Sequence, residues 1–183
     1  MIKNSLVPPM KYNLKDGTQV TIRLIKPNDK ERLRLSFKEL SADSRRTRFH
    51  SQMSGLTNGQ LEYLTEIDYQ NHFAICAIDI SHGRDKGIGV ARYIRIEDEP
   101  DTVELAITVL DAYQGLGLGK ILCELLMDAA RENGIRKFRG YISEENASLA
   151  AMIKRFGAHS QVEHGRLTRV DLVLPVPITE GDA

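Results

Sequence analysis

The residues with the most chemical content lie between Val103 and Lys120. Gly115, Gly117 and Gly119 fall between an apolar run, VELAITVL (103–110), and an amphipathic run that begins at Leu118. Glycines at a strand-to-helix junction let the backbone approach a ligand closely. The first N–H groups of the helix lack intrahelical partners and carry the positive end of its dipole, so the junction suits an anion, phosphate above all. Just ahead of it, Glu104 interrupts the apolar run. Strand alternation places Val103, Leu105, Ile107 and Val109 on one face and Glu104, Ala106 and Thr108 on the other. A carboxylate in that position needs a reason, and burial there would raise its pKa toward the range of a general base. The competing reading is a solvated glutamate near a turn.

Spacing narrows the choice of phosphate ligand. A P-loop requires GxxxxGK followed by Ser or Thr; the position five before Gly119 is Gln114, and Ile121 follows Lys120. A dinucleotide fingerprint GxGxxG, started at Gly115, would put its last glycine at Lys120. The pattern Gln/Arg-x-x-Gly-x-Gly/Ala is met in full by Gln114, Gly115, Leu116, Gly117, Leu118 and Gly119. This segment resembles the acetyl-CoA pyrophosphate loop of the GNAT N-acetyltransferase superfamily, and the order strand, loop, long helix, strand, Asn-led helix agrees with it. Further stretches, from Asp16–Gly17 to Ile25, at 41–49, 64–69, 89–93 and 103–106, resemble the catalytic domain of Pat-type bacterial protein lysine acetyltransferases over roughly residues 15 to 160.

The resemblance implies acetyl-CoA as cosubstrate. It places the backbone of Ile107, Thr108 and Val109 beside the pantetheine arm and Gln114 to Lys120 on the pyrophosphate, with Lys120 adding charge. Asn146, which opens the later helix, is implied to contact coenzyme A, and Glu104 occupies the place of the catalytic glutamate. Many GNAT enzymes carry a tyrosine seven residues after that asparagine; here the position is Ile153, as in Pat-type domains, so no general acid is assigned. Tyr113 and Tyr141 read as packing residues. Relatives often carry a cyclic-nucleotide-binding or acyl-CoA-synthetase-like domain on the same chain, for which 183 residues leave no room, so regulation by a fused domain is not expected.

The implied activity is acetyl transfer to an amine, with a protein lysine as acceptor, an acyl-CoA synthetase for example. A free lysine has a pKa of about 10.4 and is almost wholly protonated at neutral pH. A carboxylate that takes the proton helps by roughly 10²–10⁴ in rate. Direct attack in a ternary complex with Glu104 as base is the expected mechanism. The alternatives are a small-molecule amine acetyltransferase and a weakly active acyl-CoA-binding sensor module. Arg45, Arg46 and Arg48 could steer an acidic protein substrate or form a solvated helix face, and Glu66 and Asp68 could line the acceptor side or end a helix.

The elements that must hold these residues follow from periodicity. Strands are predicted at 18–25, 72–80, 88–97, 102–110, 137–142 and 165–174, and helices from Asn28 or Asp29 to Leu40, at 41–49, from Thr57, at 118–133 and at 146–156. Three strands joined by short turns imply an antiparallel meander, and the later helices between strands imply that the sheet turns partly parallel. The expected architecture is α/β, a GNAT fold with a mixed central sheet of about six to seven strands and flanking helices. Residues 1–15 read as an N-terminal arm, 16–175 as the domain and 176–183 as a tail.

Composition sets the outer limits. With 25 basic and 25 acidic residues in 183, no global field favours nucleic acid or anionic membrane. No apolar run is long enough to span a membrane and the N-terminus lacks an apolar signal segment, so the default compartment is cytoplasmic. The two cysteines, Cys76 and Cys123, sit in apolar runs and read as buried thiols. His50, His72, His82, His159 and His164 show no metal spacing, and no metal is expected. A monomer or a homodimer fits equally.

Overall fold

A computed structural model describes residues 8–49, 54–81, 83, 85–143, 146–162 and 167–174. Alternation and β-branched content produce the strands β1 (Met10–Asn13), β2 (Gln19–Leu24), β3 (His72–Asp79), β4 (Lys86–Ile96), β5 (Glu99–Val109), β6 (Lys137–Ser143), β7 (His159–Val162) and β8 (Leu167–Val173). The helices are α1 (Lys30–Glu39), α2 (Ala42–Phe49), α3 (Asn58–Thr65), α4 (Leu118–Glu132) and α5 (Ala147–Arg155). The strands form a single sheet in the order β1-β2-β3-β4-β5-β6-β8-β7. Every pairing is antiparallel except that of β5 with β6.

The sheet has eight strands where six or seven were expected. The added ones are β1, inside the stretch read as an arm, and β7. Both are four-residue strands at the two edges of the sheet. Strands this short show too little alternation to register as a pattern. Their stability comes from the backbone ladder of the longer neighbour.

Helices cover both faces. Seven of the eight residues of β3 are buried, which is why HFAICAID reads as a continuous apolar run rather than an alternating one. On one face lies α4, whose buried side is Leu118, Leu122, Cys123, Leu126, Met127, Ala129 and Ala130. A Cβ on Gly89 would come within 3.2 Å of Leu122 and 3.3 Å of Leu118, so glycine there lets α4 sit down on the sheet. On the other face, a Cβ on Gly87 would meet Arg32 and Ser36 of α1 at 2.7 Å. Both cysteines are buried and free, and burial pushes their thiols up, to about 11 for Cys76 and about 12 for Cys123.

Helix starts show two outcomes. Thr57 caps α3 as expected: its hydroxyl accepts from the Gln60 N–H (3.2 Å), and the Gln60 side chain accepts from the Thr57 N–H (2.8 Å). Asp29, one of the two residues expected to cap α1, does something else. Its carboxylate receives both Arg23 nitrogens (2.7 and 2.8 Å), the Lys26 N–H (2.8 Å) and Arg32. The residue is 2% exposed. Burial works to raise this carboxyl, yet the hydrogen bonds from Arg23 and Lys26 hold it below the usual range. No helix among the described residues is long and apolar enough to cross a membrane.

Candidate active site

The site is a fork in the sheet. β5 and β6 pair through Thr102 with Lys137, Val103 with Phe138 and Glu104 with Arg139. Beyond Glu104 no register pair joins the two strands, although β5 continues to Val109 and β6 to Ser143. On its other side β5 stays paired with β4, up to Val109 opposite Gly89. The β5 backbone from Leu105 to Val109 therefore keeps one edge facing an opening rather than a strand. A cleft of about 990 Å³ occupies that opening.

The cleft brings together most of the residues singled out in the sequence. Glu104, Ile107, Thr108, Val109, Gln114, Gly115, Gly117, Gly119, Lys120 and Asn146 all line it. Leu116 and Leu118 do not. Leu116 packs half-buried against the core, and Leu118 is fully buried in it, leaving only their backbone groups for a ligand. Gly115 (φ 75°) and Gly117 (φ 91°) are left-handed, and Gly117 is the N-cap of α4 with no side-chain cap. The Gln114 amide nitrogen donates to the Val109 carbonyl (3.2 Å), closing the end of β5. The Lys120 side chain is 66% exposed and pairs with Glu124 at 3.5 Å. Asn146 also caps α5, its Oδ1 accepting from the Leu149 N–H at 3.1 Å.

Glu104 differs from the sequence expectation in one respect: it is exposed, not buried. It stands at the last rung before the fork, where the strand alternation aims it away from the α4 face. The loop beyond it is held by polar bonds. Asp111 accepts from the Ser41 N–H (3.0 Å) and hydroxyl (3.0 Å) and from the Ser44 hydroxyl (2.8 Å), tying α2 to the end of β5. Burial works to raise the Asp111 carboxyl, but these hydrogen bonds hold it below the usual range. The Tyr113 hydroxyl donates to Asp79 (2.8 Å), and burial followed by that contact pushes the phenol up to about 12.

One lining residue, Lys15, carried no sequence signal. Lys15 lies in the β1–β2 turn, and its backbone N–H donates to the Leu116 carbonyl at 3.2 Å. A contact across a hundred residues of chain leaves no local pattern. Tyr141, read as packing, is 37% exposed on the cleft wall; the alternation of β6 around the buried Gly140 and Ile142 was the available clue. Ile153 is 3% exposed and gives the cleft an apolar wall. Glu66 and Asp68 do not line the cleft. Glu66 pairs with Lys30, and Asp68 accepts from the N–H groups of Gln70, Asn71 and His72 to organise the approach to β3. Arg45 lies over the Phe37 ring at 5.9 Å. His50, His82, His164 and the tail at 176–183 lie outside the described residues. No group of metal-ligating side chains occurs among those described.

Residues 36–158 match the acetyltransferase (GNAT) family, and the chain belongs to it. It is 33% identical over 158 residues to the acetyltransferase PA5475 of Pseudomonas aeruginosa, covering 86% of this chain and 84% of that one. It is 30% identical over 154 residues to the acetyltransferase Pat of Mycolicibacterium smegmatis, covering 84% of this chain but 45% of Pat, so the chain spans less than half of that relative's length. Among solved structures, the GNAT domain of S. lividans PAT superposes with a TM-score of 0.82 at 24% identity, over 91% of this chain and 97% of that one. A more distant fold neighbour, yncA of Salmonella typhimurium, was solved with its cofactor acetyl-CoA (TM-score 0.69, 20% identity, 90% of this chain and 99% of that one). The chain is thus a GNAT acetyltransferase homologous to Pat, and an acyltransferase.

Proposed function

We propose that the chain acetylates a protein lysine, using acetyl-CoA and Glu104 as general base. The observation that carries this reading is the place of Glu104: it is the last residue of β5 paired with β6, at the fork, on the wall of the same cleft as the glycine loop. The residues fit the donor. The free edge of β5 from Leu105 to Val109 offers backbone groups spaced for the amides of a pantetheine arm, and the uncapped N–H groups of α4 suit the pyrophosphate. Asn146 lines the same cleft. The acetyl-CoA bound by the Salmonella neighbour supports the same assignment.

Within that frame the chain's residues do two things. The fork orients the thioester beside Glu104, and a β5 backbone N–H polarises its carbonyl as negative charge develops on the oxygen. The Glu104 carboxylate, directly or through water, removes the proton from the incoming ammonium so that the free amine attacks. Exposure favours this task, because the acceptor must come from solvent. Ile153 supplies no proton to the leaving thiolate, which departs as a base weaker than the attacking amine and takes its proton from solvent. A cytoplasmic location and an acyl-CoA synthetase acceptor accompany this reading.

The test is acetyl-CoA-dependent release of coenzyme A against an acyl-CoA synthetase, lysine peptides and small amines, with modified sites mapped by mass spectrometry. Glu104→Gln should lower turnover on the protein at least tenfold while leaving acetyl-CoA affinity unchanged. An unchanged rate removes Glu104 from the role. Turnover on small amines alone, with no labelled lysine, replaces the protein acceptor by a metabolite.

A further inference from the structure

We propose that Lys15, carried by the β1–β2 turn, is a pyrophosphate-binding residue of the donor site; this rests on the acetyl-CoA reading above. The loop pattern takes Gln or Arg at its first position, and here the residue is the neutral Gln114, whose amide is directed to the Val109 carbonyl. A doubly charged pyrophosphate is then left with backbone N–H groups and with Lys120, whose ammonium has Glu124 beside it at 3.5 Å. Lys15 supplies a cation from another part of the chain. It lines the same cleft, and a Cβ built on Gly117 would lie 3.8 Å from its Cε, so its side chain runs directly over the N-cap of α4.

The turn is built to keep it there. The Leu14 N–H donates to the Thr18 carbonyl (2.9 Å) and the Gly17 N–H to the Leu14 carbonyl (2.9 Å), while Leu14 itself is buried. The Lys15 N–H is bonded to Leu116 inside the glycine loop. The neighbouring carboxylate of Asp16 accepts from the Thr18 N–H (3.0 Å) and hydroxyl (2.9 Å), so it is occupied within its own turn. No ion pair of Lys15 occurs among the described residues. Gly117 lacks a side chain at the point where the lysine stem crosses, and that leaves the ammonium a path to the same anion the helix N-terminus faces.

The experiment measures Kd by calorimetry for coenzyme A and for 3′-dephospho-coenzyme A with the wild type, Lys15→Ala and Lys15→Arg, at low and at raised salt. Loss of one charge-assisted phosphate contact should weaken binding about tenfold. The factor should be the same for both ligands, since both keep the pyrophosphate. Lys15→Arg should recover most of the loss, and Lys15→Ala should show a shallower salt dependence. The Lys15 backbone bond survives in both variants, and equal thermal midpoints without ligand separate the charge from a folding defect. Wild-type affinity in Lys15→Ala overturns the inference, as does failure of arginine to rescue. A loss that vanishes with the dephospho ligand also overturns it, because Lys15 would then serve the 3′-phosphate. Absence of coenzyme A binding in the wild type is a distinct result, which removes the donor reading and this inference with it.

Discussion

Gly117 and His72 are the residues whose environment makes the firmest demands. At φ 91° Gly117 is where an L side chain is strained. Gly117→Ala should cost about 1 kcal/mol of stability, read by urea denaturation, and should weaken coenzyme A binding as the α4 N-cap shifts. His72 Nε2 lies 2.9 Å from an Arg92 nitrogen. A guanidinium only donates, so the ring nitrogen accepts and the imidazole is neutral. Burial first, then Arg92, lowers its pKa from 6.5 to about 4. Since the unfolded chain takes up this proton at higher pH than the folded one, stability is complete above about 6.5 and is lost as pH falls toward 4. His72→Gln keeps an acceptor for Arg92 without titrating, and should flatten the denaturation profile between pH 6.5 and 4.5; an unchanged slope would place the loss elsewhere. Glu104 was legible at this scale because a charge stood in an apolar strand. Its exposure was not, because that depends on what covers this face of the sheet, which elements distant in the chain decide.

At the scale of elements, α1 is fastened to β2 by one carboxylate. Asp29 is the meeting point of Arg23, Arg32 and the Lys26 N–H, so Asp29→Asn leaves two guanidinium groups without their counter-charge. The expected loss is about 3 kcal/mol in denaturant unfolding, and a loss below half of that would make the cluster a surface pair in energetic terms. The sequence showed a helix start at 28–29 but not this anchor, because a capping aspartate and an ion-paired one look alike without their partners. The meander β3 to β5, the helix α4 and its stop at Gly134 (φ 74°) were all readable, being set by local pattern and local backbone. The edge strands β1 and β7 were not, since pairing partners rather than side chains define them. Gly89→Val tests the packing of α4: with Leu118 and Leu122 at 3.2–3.3 Å from the new Cβ, the helix must move, and both stability and coenzyme A affinity should fall together.

For the whole molecule, the fork predicts where a ligand is felt. Coenzyme A at one hundred times its Kd should stabilise the fold by about 2.7 kcal/mol by mass action. Hydrogen exchange should slow mainly in 105–109 and 115–120, with the β2–β3 ladder little changed. Slowing spread evenly over the sheet would argue against a bound arm lying along β5. The fork itself also divides the chain. Five strands lie on one side of the three parallel rungs at Thr102–Glu104 and three on the other. Beyond those rungs the halves are held laterally by side-chain packing, not by the ladder. A donor stretched along the opening of that zip completes it from within, so loading the cofactor should raise the force needed to part the two halves at this seam, read by single-molecule pulling. The ligand that the chemistry needs would act, mechanically, as a stitch.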